Sequence, residues 1–430
     1  MQAILRPGIA LLNRLRYPLK FLLISVVFLI PLLTMGYLLQ SEVQSKITFM
    51  RAERTGLDYI AKLREPLRYI QQHRGMTAAY LGGDRSFRDK MSAKEADIDK
   101  AFAALETIDR SLGGVLDTGD KAAQLRQEWN ALKGRVFDLS SKESFDAHSQ
   151  LIAHIIRLIG YVADSSKLVL DPNLDSFYLI DLATHRFPAL TEAMGQARAI
   201  GSGVAANKRH TQTSWAQLAI RLDRIEENDG ALTNDLGTVF RNNSALKQQL
   251  GDVGSQAGRS VGEFSRMLKH DLLDTDTITV GADAVFDAST RAINDIFSLY
   301  GDVLPALDGL LEQRIAEYSA RRTAALAVMV VVLVLVVYLF SAFYRGVVET
   351  IDGFRIGAKK LGEGDLTTRF SVTTRDEMAQ IAESLNTMVG GFGNVVAKVL
   401  QSTDQVASAA EELSAVTEQT AQGVTEQRAE

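Results

Sequence analysis

Two stretches of this chain are apolar without a single charge: Phe21 to Leu39 (FLLISVVFLIPLLTMGYLL) and Thr323 to Tyr344 (TAALAVMVVVLVLVVYLFSAFY). Neither has the polar face that a surface helix keeps, and each can cross a hydrocarbon core of about 30 Å at helical rise. Both are predicted to be transmembrane helices. Between them, residues 40–322 carry apolar positions at helix period, broken by short clusters that favour turns or caps. The clusters are Gly82-Gly83, Gly113-Gly114, Ser140-Ser141, Asp171-Pro172, Asn242-Asn243 and Asp274 to Asp276, with one more break near Asn207. They divide the segment into about eight helices, four on each side of Asp171-Pro172. The pattern therefore predicts an all-α sensor made of tandem four-helix bundles, stacked one above the other along the membrane normal. Pro66 and Pro188 fall within predicted helices and mark either kinks or boundaries.

After the second span the period tightens to heptads. Val347, Ile351, Phe354, Ala358 and Leu361 alternate steps of four and three, and so do Met378, Ile381, Leu385, Met388, Phe392, Val395 and Val399. Gly364-Asp365-Leu366 and an extended connector to Arg375 separate the two runs. A long connector suits two parallel helices better than a tight antiparallel hairpin. This segment, residues 345–398, resembles a HAMP domain, with matches at Gly364, Asp365, Leu366, Asp376, Glu377, Asn386 and Met388. Thr350 stands about where that family often has proline. The resemblance implies a parallel four-helix bundle built from two chains, and hence a homodimer.

Charge sets the predicted orientation. Arg6, Arg14, Arg16 and Lys20 precede the first span with no acidic residue among them, which places residues 1–20 in the cytoplasm and 40–322 outside. Arg321 and Arg322 oppose the simple rule, but long translocated loops contribute little to it. The exit of the first span, Met35-Gly36-Tyr37-Leu38-Leu39, lacks an A-x-A-like site, so an uncleaved anchor is expected rather than a signal peptide. A protein of the bacterial inner membrane is the expectation. With 46% hydrophobic and 23% charged residues, a net charge of -5, 7 prolines and no cysteine, the composition favours helices and offers nucleic acid no general attraction. Disulfides and thiolate metal sites are excluded outright.

One seam carries a charge where a leucine belongs. Leu63, Leu67, Ile70, Arg74, Thr77 and Leu81 line up on steps of four and three, so Arg74 falls at an inward position. A guanidinium there cannot shed its charge and requires an anion or a hydrogen-bonded partner. Arg198 lies similarly on a seam with Phe187, Thr191, Met194 and Gly201, and Gln196-Ala197-Arg198-Ala199-Ile200 echoes Gln72-His73-Arg74-Gly75-Met76. Two readings stand: the arginines neutralise buried acids such as Asp58, Asp181 or Glu192, or they bind a ligand.

The stretch from Gln71 through Arg74-Gly75 to Leu81, with Ser86-Phe87-Arg88-Asp89-Lys90 beyond it, resembles the arginine-glycine motif of nitrate- and nitrite-sensing helical domains. Gln72 and His73 stand where that family usually has Arg and Glu. The resemblance implies a small-molecule or anion ligand held by Arg74, with Thr77 and Arg198 as further candidates. Asp171-Pro172-Asn173-Leu174-Asp175-Ser176-Phe177-Tyr178-Leu179 resembles a segment common in helical ectodomains of chemoreceptors and sensor kinases.

Beyond Val399 the seam continues through Val406, Ala409, Leu413, Val416 and Thr420 with smaller residues. Glu412, Gln419 and Glu426 lie seven apart on one face. This start of a coiled coil resembles the methylation helix of methyl-accepting chemotaxis proteins, which implies Glu426, Gln427, Glu412 and Gln419 as candidate adaptation sites. The same resemblance implies a chemotaxis histidine kinase and a coupling protein as partners, through a region expected beyond Glu430. No HExxH, phosphate-binding glycine loop or G-x-S-x-G elbow accompanies the six histidines, so no enzyme activity, metal or cofactor is expected. The sensor of a histidine kinase, of a cyclic-dinucleotide enzyme or of a pilus-linked twitching receptor would share the spans and the relay.

Overall fold

The computed structural model describes residues 2–428, and every regular element among them is a helix. They are α1 (Gln2–Asn13), α2 (Tyr17–Leu81), α3 (Phe87–Leu116), α4 (Gly119–Arg135), α5 (Ser141–Ser165), α6 (Leu174–Asp181), α7 (Phe187–Asn207), α8 (Gln212–Asn242), α9 (Ser244–Arg266), α10 (Ala282–Gly362) and α11 (Glu377–Gln427). The chain divides into two compact units, residues 39–324 and residues 1–38 with 325–430.

In the unit formed by residues 39–324, the helix ends are set by local chemistry. Ser140 and Glu143 form a reciprocal capping box at the start of α5, and Thr211 with Ser214 does the same for α8. The break expected at Gly113-Gly114 comes slightly later. Helix α3 runs on to Leu116 and stops where Asp117 turns left-handed at φ 54°, because the Asp109 carboxylate accepts from both Tyr59 and Thr118 at 2.7 Å and holds the last turn in place. Pro66 passes inside α2 without ending it. Pro188 sits at the start of α7, directly after a π-helical turn over Leu182–Arg186 that absorbs its missing N–H.

The four-plus-four division holds, but the two groups do not stack end to end. The chain returns after α5 to the Leu39 end of the unit, where Arg314 of α10 donates to Asp175 at 2.5 Å and to Ser176 at 2.6 Å. From there α6 and α7 run alongside α2. At one level α2 touches α5, through His73 and His148, and α7, through Arg74 and Glu192. Two bundles thus lie side by side and share one hydrophobic core that runs from Leu57 to Leu311. The heptad pattern specifies an inward face for each helix, and side-by-side packing buries two faces of α2 at once, which end-to-end stacking would leave in water.

In the other unit, the two apolar stretches lie against each other. Phe21 meets Phe343 edge-on at 5.4 Å, and Gly36 leaves no room for a Cβ beside Met329. Both apolar windows are unburied, and Phe28 is 69% exposed. Apolar helices that expose most of their surface are stable in lipid and not in water. These are the two membrane-spanning helices. The relay follows: α10 ends at Gly362, an irregular connector covers residues 363–376, and α11 begins at Glu377.

Candidate functional site

The seam position of Arg74 is buried as read from the sequence, at 2% exposure, and so is that of Arg198, at 6%. The two come from adjacent helices, α2 and α7, and each guanidinium rests on a glycine of the other helix. A Cβ on Gly75 would stand 2.9 Å from Arg198 Nη2, and one on Gly195 would stand 2.7 Å from Arg74 Nη2. The glycine of the arginine-glycine pair thus makes room for the second arginine, and the echo between the two segments reflects a reciprocal contact.

Arg74 is forked onto Glu192, with Nη1 at 2.6 Å from Oε1 and Nη2 at 3.0 Å from Oε2, and Nη1 also donates to Ser149 Oγ at 2.7 Å. Of the three acids considered as partners, Glu192 is the one. Asp181 instead binds Arg186 at 2.8 Å, and Asp58 is exposed. Arg198 has no carboxylate partner among the described residues. It donates to Thr290 Oγ1 at 3.0 Å and to the Gln71 carbonyl at 3.4 Å, and it lies 5.0 Å over the Phe286 ring. Burial, together with the nearby charge of Arg74 and against that of Glu192, pushes Arg198 down to about 10. A third guanidinium, Arg221 on α8, donates to Gln196 Oε1, and its pKa is lowered by burial and by Arg224 and Arg74, with Glu192 opposing. Of the three cations only Arg74 is bonded to Glu192, whose charge also favours the charged forms of the other two. Such a site is short of negative charge and full of planar N–H donors, the conditions that hold a small oxyanion.

The remaining sequence candidate, Thr77, is fully buried with its hydroxyl unpartnered, and no hydrogen bond links it to either arginine. Sequence reasoning missed Gln71, whose amide nitrogen lies 3.2 Å from Glu192 and 3.5 Å from Thr191 and whose Oε1 is unpartnered. It also missed Ser149, Thr290 and Arg221. Beside the arginines, His148 Nδ1 donates to the Ser144 carbonyl at 2.7 Å, so its Nε2 accepts from His73 Nδ1 at 2.8 Å. Burial, then the neighbouring His73 and Arg74, lower His148 to about 3, and it stays neutral.

In the relay, Gly364 takes φ +96°, which only glycine adopts without strain, and Leu366 is half-buried. Asp365 accepts from the Thr367 N–H at 2.9 Å, and its pKa is lowered first by the Thr367 side chain. Asp376 accepts from the Met378 N–H at 3.0 Å, which caps α11, and Glu377 is its first residue. Asn386 clasps the connector: its Oδ1 accepts from the Phe370 N–H at 2.8 Å and its Nδ2 donates to the Phe370 carbonyl at 2.7 Å. Phe370, Ala382 and Val389 are the core there. Glu412, Gln419 and Gln427 are exposed on α11, and the side chain of Glu426 lies outside the described residues.

Comparison with known proteins places this geometry. Residues 67–308 match the family model described as nitrate and nitrite sensing, and residues 343–391 match the HAMP domain. The chain is similar to methyl-accepting chemotaxis protein McpA of Bacillus subtilis, 26% identical over 22% of this chain and 14% of that protein. It is similar to NahY of Pseudomonas putida, 27% identical over 26% of this chain and 21% of that protein. McpQ of Pseudomonas putida is 33% identical over 28% of this chain and 19% of that protein. The matched segments thus span about a fifth or less of these relatives' lengths. The solved structure of the NasR transcription antiterminator superposes with TM-score 0.49 at 15% identity, over 86% of this chain and 99% of that one.

Proposed function

Because this chain belongs to the nitrate- and nitrite-sensing family, we propose that it is a receptor for a small planar oxyanion of the nitrate class, bound where Arg74, Arg198 and Arg221 converge. The observation that carries this reading is the charge imbalance: Glu192 is bonded to Arg74, while Arg198 and Arg221 have no carboxylate partner of their own among the described residues. An entering anion supplies the missing charge and can take the Arg198 donors now spent on the Thr290 hydroxyl and the Gln71 carbonyl. It binds between two bundles, at the contact of α2 with α7, so its binding energy can bias one arrangement of those helices over another.

The spans, the HAMP domain and the similarity to methyl-accepting chemotaxis proteins support a chemotaxis receptor as the setting. In this reading residues 40–322 face the periplasm of a bacterium and both flanks face the cytoplasm, supported by the basic cluster Arg6, Arg14, Arg16 and Lys20. The protein transmits signals and catalyses no reaction. A homodimer is supported by the seam of α11, where Phe392, Val399 and Val406 are 51%, 58% and 68% exposed in the single chain and await a second copy. Glu412, Gln419, Glu426 and Gln427 are the proposed adaptation sites, and a chemotaxis kinase with its coupling protein is the proposed output.

The site is tested by titrating the full chain in detergent with sodium nitrate and sodium nitrite. Arg198→Met removes a cation that has no carboxylate to strand, so the apo stability should stay within about 1 kcal/mol of the wild type while affinity falls at least roughly tenfold. Arg74→Met strands Glu192 and should lower both, with about 3 kcal/mol or more lost from the apo protein. Unchanged affinity in Arg198→Met, or no binding of either anion to the wild type, would refute the site.

A further inference from the structure

A polar concavity of the sensor unit lies far from the arginines. Glu53 and Arg74 are 21 residues apart on α2, about 31 Å along a helix. The cavity has a volume of about 610 Å³ and lies between the first outer turns of α2, the last outer turns of α10 and the loop before α6. Its two ends differ in chemistry: the inner end is crowded with acids, and the outer end carries Arg321 beside Lys46. At the inner end Glu53 is 1% exposed, and its Oε1 has no hydrogen-bond partner. Arg314 does not satisfy it, because that guanidinium is taken by Asp175 and Ser176 and faces Asp171 at 3.7 Å. Three acidic side chains, those of Glu53, Asp171 and Asp175, therefore crowd around one cation. At the outer end Lys46 and Arg321 lie 5.7 and 5.8 Å over the Tyr318 ring; Lys46 is paired with Glu42 at 2.9 Å and Glu317 also lines the cavity, whereas Arg321 has no carboxylate partner among the described residues. Positions 46 and 53, like 314 and 321, are seven apart on one helix face, about 10 Å of rise, and Phe49 and Met50 form an apolar wall between the ends.

We propose that this cavity is a second ligand site, for a small molecule that carries a primary ammonium and an acid group on an apolar body, the ammonium on Glu53 and the acid between Lys46 and Arg321. An ammonium supplies the positive charge that the inner end lacks, and its three donors reach the unpartnered oxygen. The apolar wall excludes water from the body of the ligand, and the rim cations select against a plain amine. Burial, and then the charge of Asp171, push Glu53 up to about 8, with Arg314 opposing. At neutral pH the empty site therefore holds a proton on Glu53. Binding an ammonium drives that proton into solvent.

The test is calorimetric titration of the full chain in detergent with L-leucine, L-phenylalanine and 5-aminopentanoate, against pentylamine and pentanoate. At least one amino carboxylate should bind roughly tenfold or more tighter than either single-charge control. At neutral pH about one proton should be released per ligand, read from the dependence of the enthalpy on the buffer's heat of ionisation. Glu53→Gln should abolish the proton release and weaken binding, whereas Arg321→Met, at the exposed rim, should weaken binding and keep the release. Phosphatidylethanolamine presents the same pair of charges, so the titration is repeated in phosphatidylcholine nanodiscs with and without it. Competition by that lipid assigns the site to a headgroup, and its absence assigns the site to a soluble ligand. The proposal is overturned if no amino carboxylate binds saturably at about 10 mM, if the controls bind as well, or if Glu53→Gln leaves affinity and proton release unchanged. Nitrate titration of the same preparation reports on the arginine site separately.

Discussion

Gly75 and Gly195 show how much of the proposed anion site is backbone. Each lends its missing Cβ to an arginine of the facing helix, so an added methyl at either position lands on a guanidinium. The obstructed atom is the far end of a long side chain, which can turn aside without moving the helices. Gly75→Ala should therefore lower the affinity for nitrate by roughly tenfold while the melting temperature of the apo chain falls by less than about 4 °C. A large loss of stability with normal affinity would show that the glycine serves helix packing alone. At this scale the sequence revealed Arg74 and Arg198 because a charge on an apolar seam violates its own pattern. It did not reveal Ser149, Thr290 or Arg221, which break no pattern on their own helices and join the site only through packing.

The element that best explains the site's geometry is the α6–α7 rod. Pro188 has no N–H to donate, and the turn before it widens to a π-helix over Leu182–Arg186. The Ala183 carbonyl, five residues before the proline, takes its donor from another helix, the Tyr300 hydroxyl of α10 at 2.6 Å. Tyr300 is fully buried, and burial raises its pKa, so the hydroxyl keeps its proton and remains a donor. Tyr300→Phe should leave that carbonyl unpaired and cost about 1–3 kcal/mol in urea unfolding. Pro188→Ala restores a backbone N–H nearby, so the double variant should lose less than the sum of the two single ones; strict additivity would separate the two groups. The proline was legible in the sequence, but its consequence was not, because the compensating donor lies more than a hundred residues away. Helix breaks at Ser140, Asp171 and Asn243 were legible for the opposite reason: a cap is a local hydrogen bond, made by side chains within a few residues.

Across the whole molecule, the apolar surface that remains uncovered tells what each part requires. The two spans expose theirs to lipid. On α11 the exposed apolar positions repeat with the heptad, which lipid would not demand and a second helix would. A cysteine at Val399 should crosslink to its copy in membranes under mild oxidation, whereas one at Ala397, on the opposite face of the heptad, should crosslink poorly. Equal yields would contradict a parallel dimer in this register. The sequence by itself determined the all-α class, the two spans, the HAMP relay and the inward positions of both arginines, since each rests on a period or a cap written within a few tens of residues. Only the tertiary structure decided that the two bundles lie side by side and that Arg74 takes Glu192 while Arg198 is buried without a carboxylate partner among the described residues. It alone also showed that Glu53 is buried without a partner. A repeat specifies which face of a helix turns inward; which helix it meets there depends on how the whole chain closes around its core.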